Sequence, residues 1–490
     1  MKQTQSRGDA GDRGSVTERT WALGRAVGDG EGDDVEAERR PRLVEGAVGP
    51  TLVRLTLPMI LGIISMVGFN LVDTFFVGRL GTLELAALSF TFPVILLVTS
   101  LSMGLGIGAS AVISRAIGEG NHRKVQRLAT DGLLLSLLLV AALAIPGFFT
   151  VGPIFRLIGA APEILPLVKQ YMRIWYAGVI FVTVPMVGNN AIRAAGDTKT
   201  PSIIMILGAL FNAVLDPLLI FGIGPFPRLE IAGAALATVI ARAITLVAAL
   251  FFLWKRERMI TLKPVSWRNV LVSWRQILYI GLPTAATRVI VPLGTGVIIS
   301  LVATYGPESV AAFGVASRVG FFCMAAVAAL SSVLGPFIGQ NWGAGRYDRV
   351  RAGLRLSQRF SIGWGAGVFL LLVVMSRSVA SVFSKDPMVV SVTAAYLSIV
   401  PLGFGLRGVL MVSAMALTVL RRPLLASGFA LVQMFMLCVP MAYAGSHLLG
   451  LPGIFAAFVL SDAICGVWAR TALGRVVVNE EKLASGGSGC

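Results

Sequence analysis

Charged side chains and histidine are scarce in this chain of 490 residues. Lys, Arg, Asp and Glu make up only 14% of it, whereas soluble globular proteins contain about 25%. Hydrophobic residues account for 56% of the chain, which leaves too little polar surface for a soluble fold. The composition therefore excludes a soluble globular protein and indicates a membrane protein.

Motifs that bind cofactors or carry catalysis are also absent from the sequence. There is no HExxH, GxSxG or GxxxxGK[ST] motif, and the two histidines, His122 and His447, lie between apolar segments. The four cysteines form no CxxC pair, so no disulfide framework is predicted. We therefore expect no enzyme, no cofactor and no ATP hydrolysis of the P-loop type, and we infer that an ion gradient supplies the energy for any transport.

Long apolar segments fill the chain from residue 50 to about residue 475. Each is close to the ~20 residues that cross a bilayer as an α-helix, and none alternates in polarity as barrel strands do. We predict an all-α membrane protein with twelve transmembrane helices. The predicted spans are 50–76, 84–112, 125–149, 166–191, 201–223, 231–254, 273–303, 309–337, 351–376, 388–415, 423–446 and 452–474.

The net charge of +17 is a signal of topology. Residues 1–50 hold eight Lys or Arg against ten Asp or Glu, so the whole excess lies in the membrane portion. There the basic residues cluster in the breaks after even-numbered spans. By the positive-inside rule we expect these breaks and both termini in the cytoplasm, in a multi-pass protein of the cell inner (plasma) membrane that binds no nucleic acid. Residues 1–48, Gly-rich and of mixed charge, are predicted to be a disordered cytoplasmic tail.

An internal repeat divides the membrane portion into two halves. Five pairs of landmarks recur at offsets of 222 to 225 residues, among them Pro58 with Pro283 and Pro217 with Pro440. Each half holds six spans, so the two six-helix bundles have the same orientation and are related by an axis along the membrane normal. The predicted parts are an N-lobe at 49–256, a cytoplasmic linker at 257–272, a C-lobe at 273–475 and a C-terminal tail at 476–490.

Only three acidic side chains lie well inside the predicted spans, namely Asp73, Asp216 and Asp462. A carboxylate at the centre of a bilayer costs about 2.5–3.5 kcal/mol on insertion scales, so it is normally paired, facing a water-filled cavity or functional. Protonation relieves this cost, because it is the charged form that burial disfavours. Each of the three is therefore a candidate for ion exchange.

Asp216 has the most suggestive neighbours. Asn212 precedes it by one helical turn, so the two side chains share one face of the helix. Pro217 follows directly, frees the carbonyl of the preceding turn and bends the helix there. A carboxylate, an amide oxygen and a free carbonyl suit a proton or a hard cation such as Na⁺. The alternative is that Asn212 and Asp216 form hydrogen bonds between helices.

Asp73 and Thr238 converge on Asp216 if spans 1, 5 and 6 meet. Asp73 could instead pair with Arg79 near the outer interface. Thr238 could instead bond the preceding turn of its own helix.

Charged residues in other spans have no role that the sequence alone assigns. Asp462 could form a structural pair with Arg407 or have a functional role, and the sequence favours neither interpretation. Arg288 and Arg318 could line a central cavity or pair with acids.

Four segments together resemble the multidrug and toxic compound extrusion (MATE) family over residues 49–475. They are NLVDTFFVG at 70–78, RAAGDTKTP at 193–201, NAVLDP at 212–217 and GQNWGAG at 339–345. The resemblance implies two six-helix bundles that form a V-shaped cavity. It also implies proton- or sodium-driven efflux of amphipathic cations.

Within that family the chain is similar to the DinF-like branch, because spans 7 and 10 lack the acids of the NorM-like branch. The resemblance implies a cation-coupling site in the N-lobe. Its predicted residues are Asp73, Asn212, Asp216, Thr238 and, nearby, Asn189. If the ion is Na⁺, the first four of these residues would be its ligands. The resemblance also marks Pro58 as a hinge in span 1, and Pro217 is the second predicted hinge.

We therefore expect an antiporter that exchanges H⁺ or Na⁺ for lipophilic cationic drugs by alternating access, as a monomer among membrane lipids. The first alternative is a lipid-linked oligosaccharide flippase of the same superfamily, which would need a cavity lined by cationic side chains. A membrane-embedded enzyme would need a nucleophile or a metal set within the spans. A gated channel fits the duplicated lobes less well than alternating access does.

Overall fold

A computed structural model describes residues 42–261 and 266–486 of the chain, together with the side chains of that range up to residue 482. Most of the predicted N-terminal tail and Cys490 therefore lie outside the described residues. Every regular element in the described part is helical, as predicted. Three of the four cysteines are described, and all three are free thiols.

The two halves contain the same succession of long helices. In the first half these are α1 Val48–Gly78, α2 Thr82–Gly118, α3 His122–Leu157, α4 Leu165–Gly178, α5 Ile180–Ala194, α6 Lys199–Phe221 and α7 Glu230–Phe251, which continues as a π-helix over Phe252–Arg256. In the second half they are α8 Trp267–Ala303, α9 Pro307–Gly343, α10 Tyr347–Phe383, α11 Pro387–Ile399, a 3₁₀ turn Val400–Gly403, α12 Phe404–Val419, α13 Pro423–Leu431, a π-helix Val432–Cys438, α14 Val439–Leu449 and α15 Leu451–Gly486.

The described helices provide the twelve predicted spans. Eleven are long and apolar enough to cross a bilayer, and α4 with α5 forms a twelfth span that is bent by 45°. The bend follows Gly178, where an added Cβ would meet the side chain of Val239 on α7. The absent side chain thus allows α7 to approach closely at the break.

Several helices run further than the apolar segments predicted, because a helix does not stop at the bilayer surface if its end is capped. The α3 helix begins at His122, and the Asn121 side chain accepts a hydrogen bond from the backbone N–H of Lys124 at 3.0 Å. This contact satisfies one of the free N–H groups at the helix start. Likewise, α8 begins at Trp267 and α15 extends to Gly486.

Buried apolar residues divide the molecule into one shared core and two separate ones. The shared core joins residues of both halves, from Leu52 and Ile113 to Phe337 and Leu417. It lies where the breaks after even-numbered spans carry basic residues, which we call the basic end. Towards the other end the first half has its own core around Phe155 and the second half has another around Phe404. The halves are therefore joined at the basic end and separate at the opposite end, which we call the cleft end.

Small residues bring the two halves into backbone contact. An added Cβ on Gly104 of α2 would meet the carbonyl oxygen of Gly281 on α8, and one on Gly118 would meet that of Gln340 on α9. Only glycine permits helices to approach this closely. These contacts close the interface between the halves towards the basic end.

Residues 42–47, which we call the entry segment, lie against this interface. Leu43 is only 1% exposed. Its N–H donates to the Gln340 side chain at 3.1 Å, and the amide of Gln340 donates to the carbonyl of Ala194 in the first half at 2.7 Å. Gln340, a residue of the GQNWGAG segment, therefore ties the entry segment to both halves.

Arg349 at the start of α10 completes this arrangement. Its guanidinium donates to the carbonyls of Gly46 at 2.6 Å, Glu45 at 3.1 Å and Leu43 at 3.3 Å, and to the Asn341 side chain at 2.9 Å. Hydrogen bonds from a charged donor to backbone carbonyls are among the stronger ones in proteins. The RAAGDTKTP segment has a similar structural role, because Asp197 accepts from the N–H groups of Lys199 and Thr200 that open α6.

We predict that Arg349→Ala lowers the stability of the purified protein by about 1–3 kcal/mol, because buried carbonyls of the entry segment lose their donors. Thermal unfolding in detergent measures this effect. Arg351→Ala is the matched control, since Arg351 forms only an exposed ion pair with Glu481 at 3.0 Å and such pairs contribute about 0–1 kcal/mol. Equal melting temperatures for the two variants would contradict the prediction.

Candidate ion-coupling site

The predicted cation site lies in the first half near the cleft end, where three helices converge. The α6 helix packs on both α1 and α7. At the tip of α1 the ring of Phe76 contacts that of Phe221 on α6, with their centroids 6.2 Å apart. This packing brings the carboxylates of Asp73 and Asp216 within electrostatic range of each other.

Asp216, Asn212 and Thr238 form the buried part of the site. Asn212 and Asp216 have no exposed surface. The Asn212 amide donates to Oδ1 of Asp216 at 3.1 Å and also contacts the hydroxyl of Thr238 on α7 at 3.5 Å. The second oxygen of Asp216 and the side-chain oxygen of Asn212 are buried without a hydrogen-bond partner. The same-face relation predicted from the sequence is therefore present.

Asp73 contributes a third buried oxygen without a partner, its Oδ1. The alternative pairing with Arg79 is not formed, because the Arg79 guanidinium lies over the ring of Phe75 at 5.0 Å. None of the seven ion pairs among the described residues includes Asp73 or Asp216. Two carboxylates thus share a site of low polarity without a cationic side chain bound to either.

Tyr171 is a member of this site that the sequence analysis missed. It lies on α4, is only 3% exposed, and is within electrostatic range of both Asp73 and Asp216. A tyrosine in an apolar span gives little signal, because aromatic side chains are common in membrane cores. Its helix, α4, packs on α7, which places the phenol beside the two acids.

Asn189 has a buried side-chain oxygen without a hydrogen-bond partner, and its membership of the site stays a prediction. The residue lies near the end of α5 at the basic end, whereas Asp216 lies near the opposite end of α6. Helices rise about 1.5 Å per residue, so the two side chains are at different depths. The sequence analysis placed Asn189 on span 4 correctly, but could not assign its depth relative to Asp216.

The two predicted hinges, Pro58 and Pro217, lie inside continuous helices. The α1 helix runs uninterrupted from Val48 to Gly78 through Pro58, and α6 continues past Pro217 to Phe221. Each proline lacks the N–H that would bond the preceding turn, so bending costs less there than elsewhere in the helix. Their role as hinges stays a prediction.

The chemistry open to this site is the binding of a proton or a small hard cation. Two buried carboxylates near each other cannot both remain charged without a counter-ion. The three oxygens without partners, one each on Asp73, Asn212 and Asp216, are of the kind that hard cations prefer. The arrangement is therefore suited to a proton or a small hard cation.

Several arginines in the spans form no ion pair, and two of them lie near each other across the interface between the halves. Arg193 on α5 and Arg288 on α8 are within electrostatic range of each other across the interface. Arg288 and Arg318 are exposed in the middle of long helices. Because a charged side chain in lipid is costly, an exposed arginine at this depth faces a water-filled cleft.

Arg242 is another arginine inside a span, and the sequence analysis missed it. It lies in the middle of α7, with its guanidinium 4.8 Å from the ring centroid of Phe69 on α1. A lone arginine inside the predicted span 231–254 is itself a signal of function. None of the ion pairs among the described residues includes Arg193, Arg242, Arg288 or Arg318.

Comparisons with known proteins agree with this architecture. A model of the family described as MatE matches residues 58–218 and 283–444, one range in each half. The chain is 38% identical over 428 residues to the FAD transporter of Shewanella oneidensis, covering 87% of this chain and 95% of that protein. It is 28% identical over 361 residues to the probable multidrug resistance protein YoeA of Bacillus subtilis, covering 72% and 78%. The crystal structure of the Vibrio cholerae MATE transporter VcmN in the bent form has a TM-score of 0.84 at 28% identity, covering 89% and 98%.

We predict that Tyr171→Phe slows ion-coupled transport severalfold, because the buried phenol within electrostatic range of both acids is lost from a site of low polarity. Tyr176→Phe is the matched control. Tyr176 lies on the same helix and is also buried, but it packs against Gly147 instead of the acids. Initial rates in proteoliposomes measure the effect, and equal rates for the two variants would remove Tyr171 from the site.

Proposed function

We propose that this chain, which belongs to the MatE family of membrane transporters, exports an aromatic phosphate compound of the FAD class in exchange for protons. It is a transporter and not an enzyme. The observation that carries the choice of substrate is the set of arginines in the spans that form no ion pair, with Arg193 and Arg288 near each other across the interface. The acid cluster of the first half supports the ion-coupling part.

We assign the basic end to the cytoplasm on the positive-inside rule. The halves are joined at that end and separate at the other, so the described conformation would be open to the outside. In alternating access the same substrate route then opens to the cytoplasm when the contacts at the basic end separate.

Protons would enter at the cleft end through Asp73 and Asp216. Neutralising the two acids removes their mutual repulsion and allows α1 to move relative to α6. Because Pro58 weakens α1 along its length, a change at Asp73 can be transmitted towards the basic end. For an anionic substrate the proton cannot compete by charge, so coupling would depend on this movement of α1.

The arginines supply the chemistry that a dinucleotide needs. Guanidinium groups bind phosphate oxygens in pairs and stack on aromatic planes. The guanidinium of Arg242 lies over the ring of Phe69, which supports stacking of this kind in the first half. A relative 38% identical to the chain is an FAD transporter, which supports the same substrate class. An inside-negative membrane potential also favours the export of an anion, by about 2.3 kcal/mol per charge per 100 mV.

Lipophilic cationic drugs are the second candidate substrates. The unpaired acids Asp73 and Asp216 favour them, because proton and drug would then compete directly by charge. A relative 28% identical to the chain is a probable multidrug resistance protein. The two candidates can be distinguished because arginines favour the binding of an anionic dinucleotide, whereas acids favour the binding of a cationic drug.

We predict that Asp73→Asn and Asp216→Asn each abolish FAD uptake driven by a pH gradient in everted vesicles, because the site can no longer exchange a proton. Glu230→Gln is the control, since Glu230 forms an exposed pair with Arg228. A parallel assay under a sodium gradient identifies the ion. Undiminished pH-driven transport in both acid variants would refute the coupling role.

We predict that Arg288→Gln weakens FAD binding at least tenfold, because a charged hydrogen bond of about 1.5–3 kcal/mol is lost. Arg377→Gln, an exposed arginine near the end of α10, is the control. Binding is measured by FAD fluorescence and compared with ethidium. If Arg288→Gln leaves FAD binding unchanged but strengthens ethidium binding, drugs and not dinucleotides are the substrates.

A further inference from the structure

We propose that Asp462 forms a second exchangeable-proton site, in the C-terminal half, together with Gln433 and Arg407. It deepens the proposed function by adding one coupled proton to each transport cycle. The infrared band of a protonated Asp462 does not depend on the identity of the substrate.

The geometry of Asp462 is that of a buried acid with one free oxygen. The residue lies on α15 and is 1% exposed. Its Oδ1 accepts a hydrogen bond from the Gln433 amide at 3.0 Å, and its Oδ2 is buried without a hydrogen-bond partner. This is the same pattern as in Asp216, where an amide holds one oxygen and the other is free.

The internal repeat places Asp462 where the first half has its ion site. Asp462 follows Thr238 by 224 residues, within the range of 222 to 225 shown by the landmarks. Gln433 lies on the span that corresponds to the span of Asn212. Both sites are therefore built on the fifth and sixth spans of their half. In the first half the acid is on the fifth span, and in the second half it is on the sixth.

Two irregular helical segments surround Asp462. The 3₁₀ turn Val400–Gly403 and the π-helix Val432–Cys438 both pack on α15. A Cβ on Gly403 would lie 3.5 Å from the free Oδ2, so the absent side chain leaves room beside that oxygen. Irregular backbone inside a membrane protein is tolerated where it is buried or lines a cavity, and π-helices frequently mark functional sites.

The charged and titratable groups around Asp462 permit exchange in both directions. Those within electrostatic or hydrogen-bond range are Arg407 of α12, Tyr396 of α11, Gln433 and Cys438 of the π-helix, and Cys465 of α15. Arg407 is the only cation among them, and the ion pairs of the described residues do not include it. Burial opposes a permanent negative charge, while the nearby guanidinium opposes permanent protonation. The arginine also disfavours Na⁺ as the ligand.

The π-helix offers a means of linking the site to conformation. Gln433 lies in its first turn. If the segment reverts to an α-helix, residues on one side of the bulge rotate relative to the other by up to about 100°, the angle per residue of an α-helix. Gln433 would then leave Oδ1 of Asp462, and the acid would lose the donor that stabilises its charged form.

Infrared titration of the purified protein in detergent tests the proton site directly. Asp462→Asn should remove one component from the C=O band of protonated carboxyl groups, and the double variant Asp73→Asn/Asp216→Asn should retain that component. Gln433→Met should shift it, because Oδ1 loses its donor. Thr471→Val is the control, since the exposed hydroxyl of Thr471, on the same helix, donates to the carbonyl of Trp468. If Asp462→Asn leaves the band unchanged, the proposal is overturned.

The equilibrium accumulation of FAD in proteoliposomes tests whether this proton is coupled. Each coupled proton changes the accumulation ratio about tenfold per unit of pH gradient. Asp462→Asn should lower the ratio about tenfold at a gradient of one unit, whereas a merely structural role would slow the approach to the same ratio. An unchanged ratio would show that Asp462 is not coupled. If the wild-type protein accumulates no FAD, the proposed substrate is wrong, and the infrared result still decides the proton site.

Discussion

The bilayer provides no hydrogen-bond partners, and this constraint explains where polarity is found in the molecule. Backbone groups are satisfied within helices, so the described chain is helical almost throughout. Side-chain hydroxyls such as that of Thr56 bond the preceding turn of their own helix, at 2.7 Å in this case. Against this background, a buried oxygen without a partner is rare and costly. Asp73, Asn212, Asp216 and Asp462 each carry one, as do several other buried side chains of the described residues.

The fold could be predicted from the sequence because its determinants are long and local. The lengths of the apolar segments predicted the twelve spans. The distribution of basic residues predicted which breaks between spans lie at the same end of the molecule. The bend between α4 and α5 was not predicted, because it depends on contact between Gly178 and Val239 on a distant helix. The π-helices were missed for the same reason, since packing and not composition inserts the extra residue.

The site was predictable only in part. Asp216 and Asn212 share a helix face, so their spacing alone placed them together. Tyr171 could not be found from spacing, because its relation to the acids arises from three-dimensional packing of α4. The depth of Asn189 relative to Asp216 could not be predicted either, since spacing within one helix does not fix the depth of a residue on another. Two of the segments that carry the family resemblance, around Asp197 and Gln340, form structural hydrogen bonds at the basic end, which their sequences alone did not reveal.

The course of α1 has a mechanical consequence. Its 31 residues form a rod about 46 Å long at 1.5 Å per residue. Asp73 lies close to one end of this helix. The other end is joined directly to the entry segment, whose carbonyls accept hydrogen bonds from Arg349. The candidate ion-coupling site and the contacts at the basic end are thus attached to opposite ends of a single helix. Tilting or bending that helix by a few degrees displaces its tips by several ångströms, without any intermediate chain of side-chain contacts.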